Sequence, residues 1–131
     1  MIVLDTHVLI WWISDPEKLS SRALEVIEKE SNNGLILVSS VSVWELYLLI
    51  KKDRLKLTMD TDSWLEKIES LPFVQFIPID NQIAAKSVNL PGDFHADPAD
   101  RMIVATAREK GTSLVTSDER IQKYPHVQCI W

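Results

Sequence analysis

The sequence predicts an α/β fold: one domain over residues 1–131, with a central, mainly parallel β-sheet of about five strands and helices on both faces. Three observations carry that expectation. Short apolar runs alternate with helical segments along the whole chain, and parallel strands covered on both faces read as such runs. A length of 131 residues fits a single domain, and a chain near this size hides roughly two-thirds of its unfolded surface. Composition is globular, 46% apolar and 25% charged, with three glycines and six prolines and no visible repeat or low-complexity stretch.

The elements follow in order. Ile2 to Leu4 form a short apolar strand ending at Asp5, and Thr6 to Ile13 form a helix closed by Asp15-Pro16. Ser20 caps a second helix whose Ala23, Leu24 and Ile27 repeat at helical spacing, ending near Asn32-Asn33-Gly34. Leu35 to Val38 are the second strand. Ser42 then introduces a helix over 43–52, and another helix runs from about Asp62 to Ser70. Phe76 to Ile79 are the third strand, and Pro78 marks it as an edge strand or a strand end. Asp80 caps a helix to about Ser87, a loop covers 91–96, and Asp97-Pro98 starts a helix running to Gly111. Ser113 to Thr116 are the fourth strand, Asp118 to Tyr124 a short helix, and Val127 to Ile130 the last strand.

No basic segment precedes the apolar run at the amino terminus, and no stretch approaches 18 uncharged apolar residues. The expectation is a cytoplasmic protein with no membrane segment. Cys129, the single cysteine, lies in an apolar run and is expected to be a buried, inert thiol. A net charge of −5 argues against a whole-surface electrostatic grip on nucleic acid. Four of the nineteen acids neutralised by metal would leave the balance close to neutral, so a polyanion is not excluded as a ligand. Among the cations, Lys51, Lys52, Arg54 and Lys56 are the densest basic stretch. They fit phosphate contacts and, equally, a solvated helix end.

Asp5, Glu45, Asp100 and Asp118 are widely spaced, yet each falls where a strand gives way to a helix. In a parallel sheet those junctions share the carboxyl edge, where ligands bind near the topological switch point. Each acid also has a plainer explanation. Asp5 and Asp118 suit helix caps, and Ser42-x-x-Glu45 reads as a capping box. Asp97 suits the cap of its helix, leaving Asp100 in the first turn to face the sheet edge. Capping works as well with Ser, Thr or Asn, so an acid at every junction points to a shared task. Clustered carboxylates need a cation or shared protons, and oxygen ligands suit magnesium. The histidines His7, His95 and His126 are scattered and show no zinc spacing. His95 lies near enough in sequence to approach the site, although a structural or surface role is the simpler reading.

With these residues in view, the chain resembles the PIN-domain nucleases, most closely the VapC-like toxins of toxin–antitoxin modules. The matching pieces span almost the whole chain: Val3-Leu4-Asp5-Thr6, Ser42-Val43-Trp44-Glu45-Leu46, His95 to Arg101 with Ala105-Thr106-Ala107, and Leu114 to Asp118. The resemblance implies that Asp5, Glu45, Asp100 and Asp118 bind Mg2+, with Mn2+ as the other candidate, Asp5 and Asp100 being the safest ligands. It also implies that the Thr116-Ser117 hydroxyls support the site through water. The implied reaction is hydrolysis of an RNA phosphodiester by metal-activated water, leaving a 5′-phosphate and a 3′-hydroxyl. The implied partners are RNA, a cognate antitoxin protein, and a second copy in a homodimer or a toxin–antitoxin hetero-oligomer. Trp11 and Trp12 are adjacent on a helix, so both do not readily enter one core face; either one of them serves an interface or both pack between neighbouring helices. Arg101, beside Asp100, fits either a carboxylate partner or an RNA contact. The rival readings are a PIN nuclease of RNA maturation and a non-catalytic binding module whose acids only cap helices. An aspartyl-nucleophile phosphatase is disfavoured because His7 stands where the second aspartate of Asp-x-Asp belongs.

Overall fold

The computed structural model describes residues 1–131 and follows the predicted alternation. The chain runs through β1 (Ile2–Leu4), α1 (Thr6–Ser14), α2 (Ser21–Asn33), β2 (Ile36–Ser39), α3 (Ser40–Lys51), α4 (Thr61–Glu69) and β3 (Val74–Ile77). It continues through α5 (Asn81–Val88), α6 (Pro98–Glu109), β4 (Ser113–Val115), α7 (Glu119–Gln122) and β5 (Cys129–Ile130). All five strands are parallel, in the order β3-β2-β1-β4-β5. The chain builds outward from β1 through β2 to β3, then crosses back to lay β4 on the other side of β1. That reversal is the topological switch point, and it opens a crevice at the carboxyl ends of β1 and β4.

Side chains alternate across the sheet and so feed two cores. Ile2, Leu4, Ile36 and Val38 join Val8, Ile27, Leu46 and Ile68 on one face. Val3, Leu37 and Leu114 face the other way, against Ile83, Ile103 and Ile121. Complete burial of such aliphatic side chains stabilises by roughly 1.5–3 kcal/mol apiece. Every fully buried side-chain nitrogen or oxygen has a hydrogen-bond partner. No helix is long and apolar enough to cross a membrane.

Local signals explain the helix ends. Ser20 Oγ accepts from the Ala23 amide, and Asp80 Oδ1 accepts from the Ile83 amide, as their positions predicted. Helix α6 stops at Gly111, whose φ of 61° suits the left-handed turn in which Thr112 N–H reaches the Ala107 carbonyl. Helix α3 ends in the same way with Asp53 at φ 55°, and Arg54 N–H donates to the Leu49 carbonyl. Pro78 lies just past β3, which is indeed an edge strand.

Three expectations need correction. Helix α3 starts at Ser40, with Ser39 Oγ accepting from the Val41 amide. Ser42 and Glu45 are therefore inside the helix, and the capping box does not form. Trp11 and Trp12 are both half-buried, with ring centroids 6.0 Å from Trp131 and 6.2 Å from Phe73 respectively, as the packing alternative expected. Arg101 pairs with no carboxylate. Its guanidinium donates to the carbonyls of Ser87 and Phe94 at 2.8 Å and of Val88 and His95 at 3.1 Å, tying the 91–96 loop to α5. Cys129 is only half-buried, though burial pushes its thiol up to about 11, away from reactive thiolate.

Candidate active site

The crevice is built first by the sheet. Leu4 lies beside Val115 in register, and Asp5 N–H extends the ladder by donating to the Val115 carbonyl at 3.0 Å. Asp5 and Thr116 therefore emerge side by side at the switch point. Asp5 caps α1, its Oδ1 accepting from the Thr6 amide at 2.8 Å, while Thr116 Oγ1 donates to Oδ2 at 2.7 Å. The sequence pointed to water between Thr116 and the site, but the contact is direct. Thr116 Oγ1 also accepts from the Asp118 amide at 3.1 Å, so one hydroxyl links two of the acids.

Thr6 performs the same task towards α3. Its Oγ1 lies 2.5 Å from Glu45 Oε1 and 2.8 Å from Ser42 Oγ. With one proton on each hydroxyl, Thr6 donates to the carboxylate and accepts from Ser42. Ser42 is wholly buried, which explains its place one turn before Glu45 better than a capping role does. Thr6 belongs to the Val3-Leu4-Asp5-Thr6 match, but nothing in the sequence pointed to its contact with Glu45.

Asp97 caps α6 by accepting from the Asp100 amide at 3.1 Å, and Asp100 projects from the first turn, as expected. Its Oδ2 lies 2.7 Å from His95 Nε2 and 3.6 Å from an Arg120 nitrogen. Arg120 also lies 3.3 Å from Asp118 Oδ2. His95 thus holds a site acid, where sequence favoured a structural or surface role. Arg120 is a site residue that sequence did not suggest, because its position on the short α7 becomes meaningful only after α7 docks.

The electrostatics divide the four acids. Asp5 is 7% exposed, and burial raises its pKa, with Asp100 adding to the effect against the hydrogen bond from Thr116. Burial pushes Glu45 up to about 7 despite its Thr6 bond, with Asp5, Asp100 and Asp97 contributing. Burial also raises Asp100, aided by Asp97 and Asp118 and opposed by the bond to His95. Asp118 departs from this pattern. Burial pushes it up, but the side chain and amide of Arg120 hold it below the usual carboxylate range. Asp5, Glu45 and Asp100 are therefore biased toward the protonated form, while Arg120 keeps Asp118 ionised. No three Asp, Glu, His or Cys side chains stand close enough to close around one ion. Each acid is instead held by a hydroxyl, an imidazole or a guanidinium.

The comparisons agree with this architecture. The PIN domain family model matches residues 2–127. The ribonuclease VapC22 of Mycobacterium tuberculosis is 38% identical over 125 residues, which cover 95% of this chain and 92% of that protein. Among solved structures, the VapBC2 complex of Rickettsia felis bound to a promoter DNA fragment aligns with a TM-score of 0.73 at 20% identity, covering 99% of this chain and 98% of the other. The FitAcB structure of Neisseria gonorrhoeae aligns with a TM-score of 0.71 at 21% identity, covering 100% and 97%. At such identities the solved structures speak for the fold alone. The switch-point acids, the five-stranded parallel sheet and a family match along nearly the whole length lead to one conclusion: this chain belongs to the PIN domain family.

Proposed function

We propose that this protein is a divalent-metal-dependent endoribonuclease that serves as the toxin of a toxin–antitoxin pair. The observation that carries the reading is the set of acids at the switch-point edge: Thr116 Oγ1 joins Asp5 to Asp118, Arg120 joins Asp118 to Asp100, and burial raises Asp5, Glu45 and Asp100, with Asp100 adding to the rise of Asp5 and both of these to that of Glu45. Negative charge concentrated in this way is stabilised by a cation. The similarity to a ribonuclease over 95% of the chain supports RNA as the substrate. Similarity to a toxin–antitoxin complex supports an antitoxin protein as partner, within a homodimer or a hetero-oligomer.

The donor set fits Mg2+ or Mn2+, because every candidate ligand is a carboxylate oxygen. Magnesium keeps several waters and needs only one or two protein carboxylates, so a site without a finished shell suits it. Asp5 and Asp100 are the proposed ligands, with Glu45 and Asp118 completing the acidic set. When bound, the ion would supply a water more acidic than bulk water and a positive centre for phosphate charge. The chain's own groups set the geometry. Thr116 and the Thr6 amide fix both oxygens of Asp5, Thr6 aims Glu45, and His95 orients Asp100. Arg120, 63% exposed at its side chain, is placed to turn from Asp100 and Asp118 toward an incoming phosphate.

Incubating the purified protein with structured and single-stranded RNA, with and without Mg2+ or Mn2+, tests the reading. Cleavage should require metal, and Asp5→Asn or Asp100→Asn should remove it while circular dichroism stays unchanged. Parent-like cutting by both variants overturns the assignment, as does a parent that cuts no RNA with either ion.

A further inference from the structure

Trp44 exposes 59% of its surface, far more than the half-buried Trp11 and Trp12 or the buried Trp64. It immediately precedes Glu45 on α3, and its side chain forms one wall of a cleft of about 250 Å³. Leu48 and Lys52 continue the same stripe of the helix at successive four-residue steps, and Arg54, Asp97 and Pro98 also line the cleft. From Trp44 to Lys52 the helix rises about 12 Å.

Two further features indicate the occupant. Neither Lys52 nor Arg54 forms an ion pair, so two of the cleft's lining residues are unpaired cations. The reversed turn at Asp53 is what brings Arg54 back beside α3. Glu45 lines the same cleft, so whatever lies in it runs directly into the acidic crevice. An aromatic face followed by unpaired cations, continuous with the carboxylates, matches the stacking platform and phosphate track used to hold single-stranded nucleic acid.

We propose that Trp44 is a specificity-determining residue of the ribonuclease site: a base of the substrate strand near the cleaved bond stacks on its indole, while Lys52 and Arg54 hold the adjoining phosphates. This rests on the ribonuclease reading above. Steady-state cleavage of a single-stranded RNA oligonucleotide tests it, using the parent, Trp44→Phe and Trp44→Ala together with substrates carrying one abasic nucleotide at each position around the cleavage site. Loss of one base–aromatic stack corresponds to roughly 5- to 150-fold. Trp44→Ala should raise KM by a factor in that range with kcat largely kept, and Trp44→Phe should restore most of the loss. One abasic position should weaken the parent equally and leave Trp44→Ala no weaker than before. The proposal is overturned by a parent-like KM in Trp44→Ala, or by losses that multiply at every abasic position. Multiplying losses together with a lighter species for Trp44→Ala in sedimentation would assign the face to a protein contact instead. Mn2+ binding by calorimetry should match the parent, and a loss there would also overturn it by placing the effect in the acid cluster. An inert parent refutes the ribonuclease reading and this proposal with it, whereas an active parent indifferent to Trp44 refutes only the stacking.

Discussion

Replacing Glu45 by Gln should stabilise the metal-free protein, and by an amount that depends on pH. The amide oxygen of Gln still accepts from Thr6, so the substitution removes the charge and leaves the hydrogen bond. Glu45 ionises near pH 4.5 when exposed and near 7 in the fold, mainly because it is buried, with Asp5 and Asp100 adding repulsion. An acid raised on folding imposes no cost below its unfolded pKa. The cost accumulates as pH climbs from about 4.5 to 7 and is complete above that. At about 1.4 kcal/mol per pH unit, the interval from 4.5 to about 7 sets a ceiling of about 3.5 kcal/mol. Glu45 is only partly buried, so solvent screening reduces this to about 1–2 kcal/mol. For a chain of this length that corresponds to roughly 3–8 °C in Tm. Thermal unfolding followed by circular dichroism in EDTA should therefore show Glu45→Gln melting higher than the parent at pH 8, with the two curves converging below pH 4. Added Mg2+ should narrow the gap by stabilising the parent selectively. An equal gain at both pH values, or a parent more stable at pH 8, refutes the argument that repelling, buried charge dominates this site.

Two further outcomes test the scaffold. Arg101→Met should cost about 2–4 kcal/mol in chemical denaturation and speed hydrogen exchange across residues 91–96, because four carbonyls lose their donor; unchanged exchange there would refute the bracing role. Asp53→Gly should raise stability by about 0.5 kcal/mol, since glycine removes most of the cost of φ 55° while giving up some chain entropy in the unfolded state; a loss of stability would show that the Asp53 side chain itself holds the turn.

Where local chemistry decides the outcome, the chain was legible from its sequence. Asp5, Ser20, Asp80, Asp97 and Asp118 all cap helices, because a short polar side chain before an apolar repeat leaves few other conformations. Alternating apolar runs likewise foretold a parallel sheet. The start of α3 was misplaced because Ser39, Ser40 and Ser42 are all competent caps, and only the pairing of β2 selects Ser39. His95, Arg120 and Thr6 were underrated for another reason. Their partners lie on different elements, Thr6 reaching Glu45 across 39 residues, so no window along the chain reveals them. Arg101 was given a role in the site because it adjoins Asp100, yet consecutive helical residues point about 100° apart, and it serves the loop behind.

The hydrogen bond from Thr116 to Asp5 joins residues 111 positions apart, which has a consequence for biosynthesis. Asp5 leaves the ribosome well before the strand beside it and the hydroxyl that fixes it, which are translated more than 100 residues later. A nascent or truncated chain stopping before residue 113 lacks β4, Thr116 and Asp118, so the crevice has no second wall. The destructive chemistry proposed for this fold is thereby withheld from unfinished copies, which spend their time among the RNAs of the translation machinery.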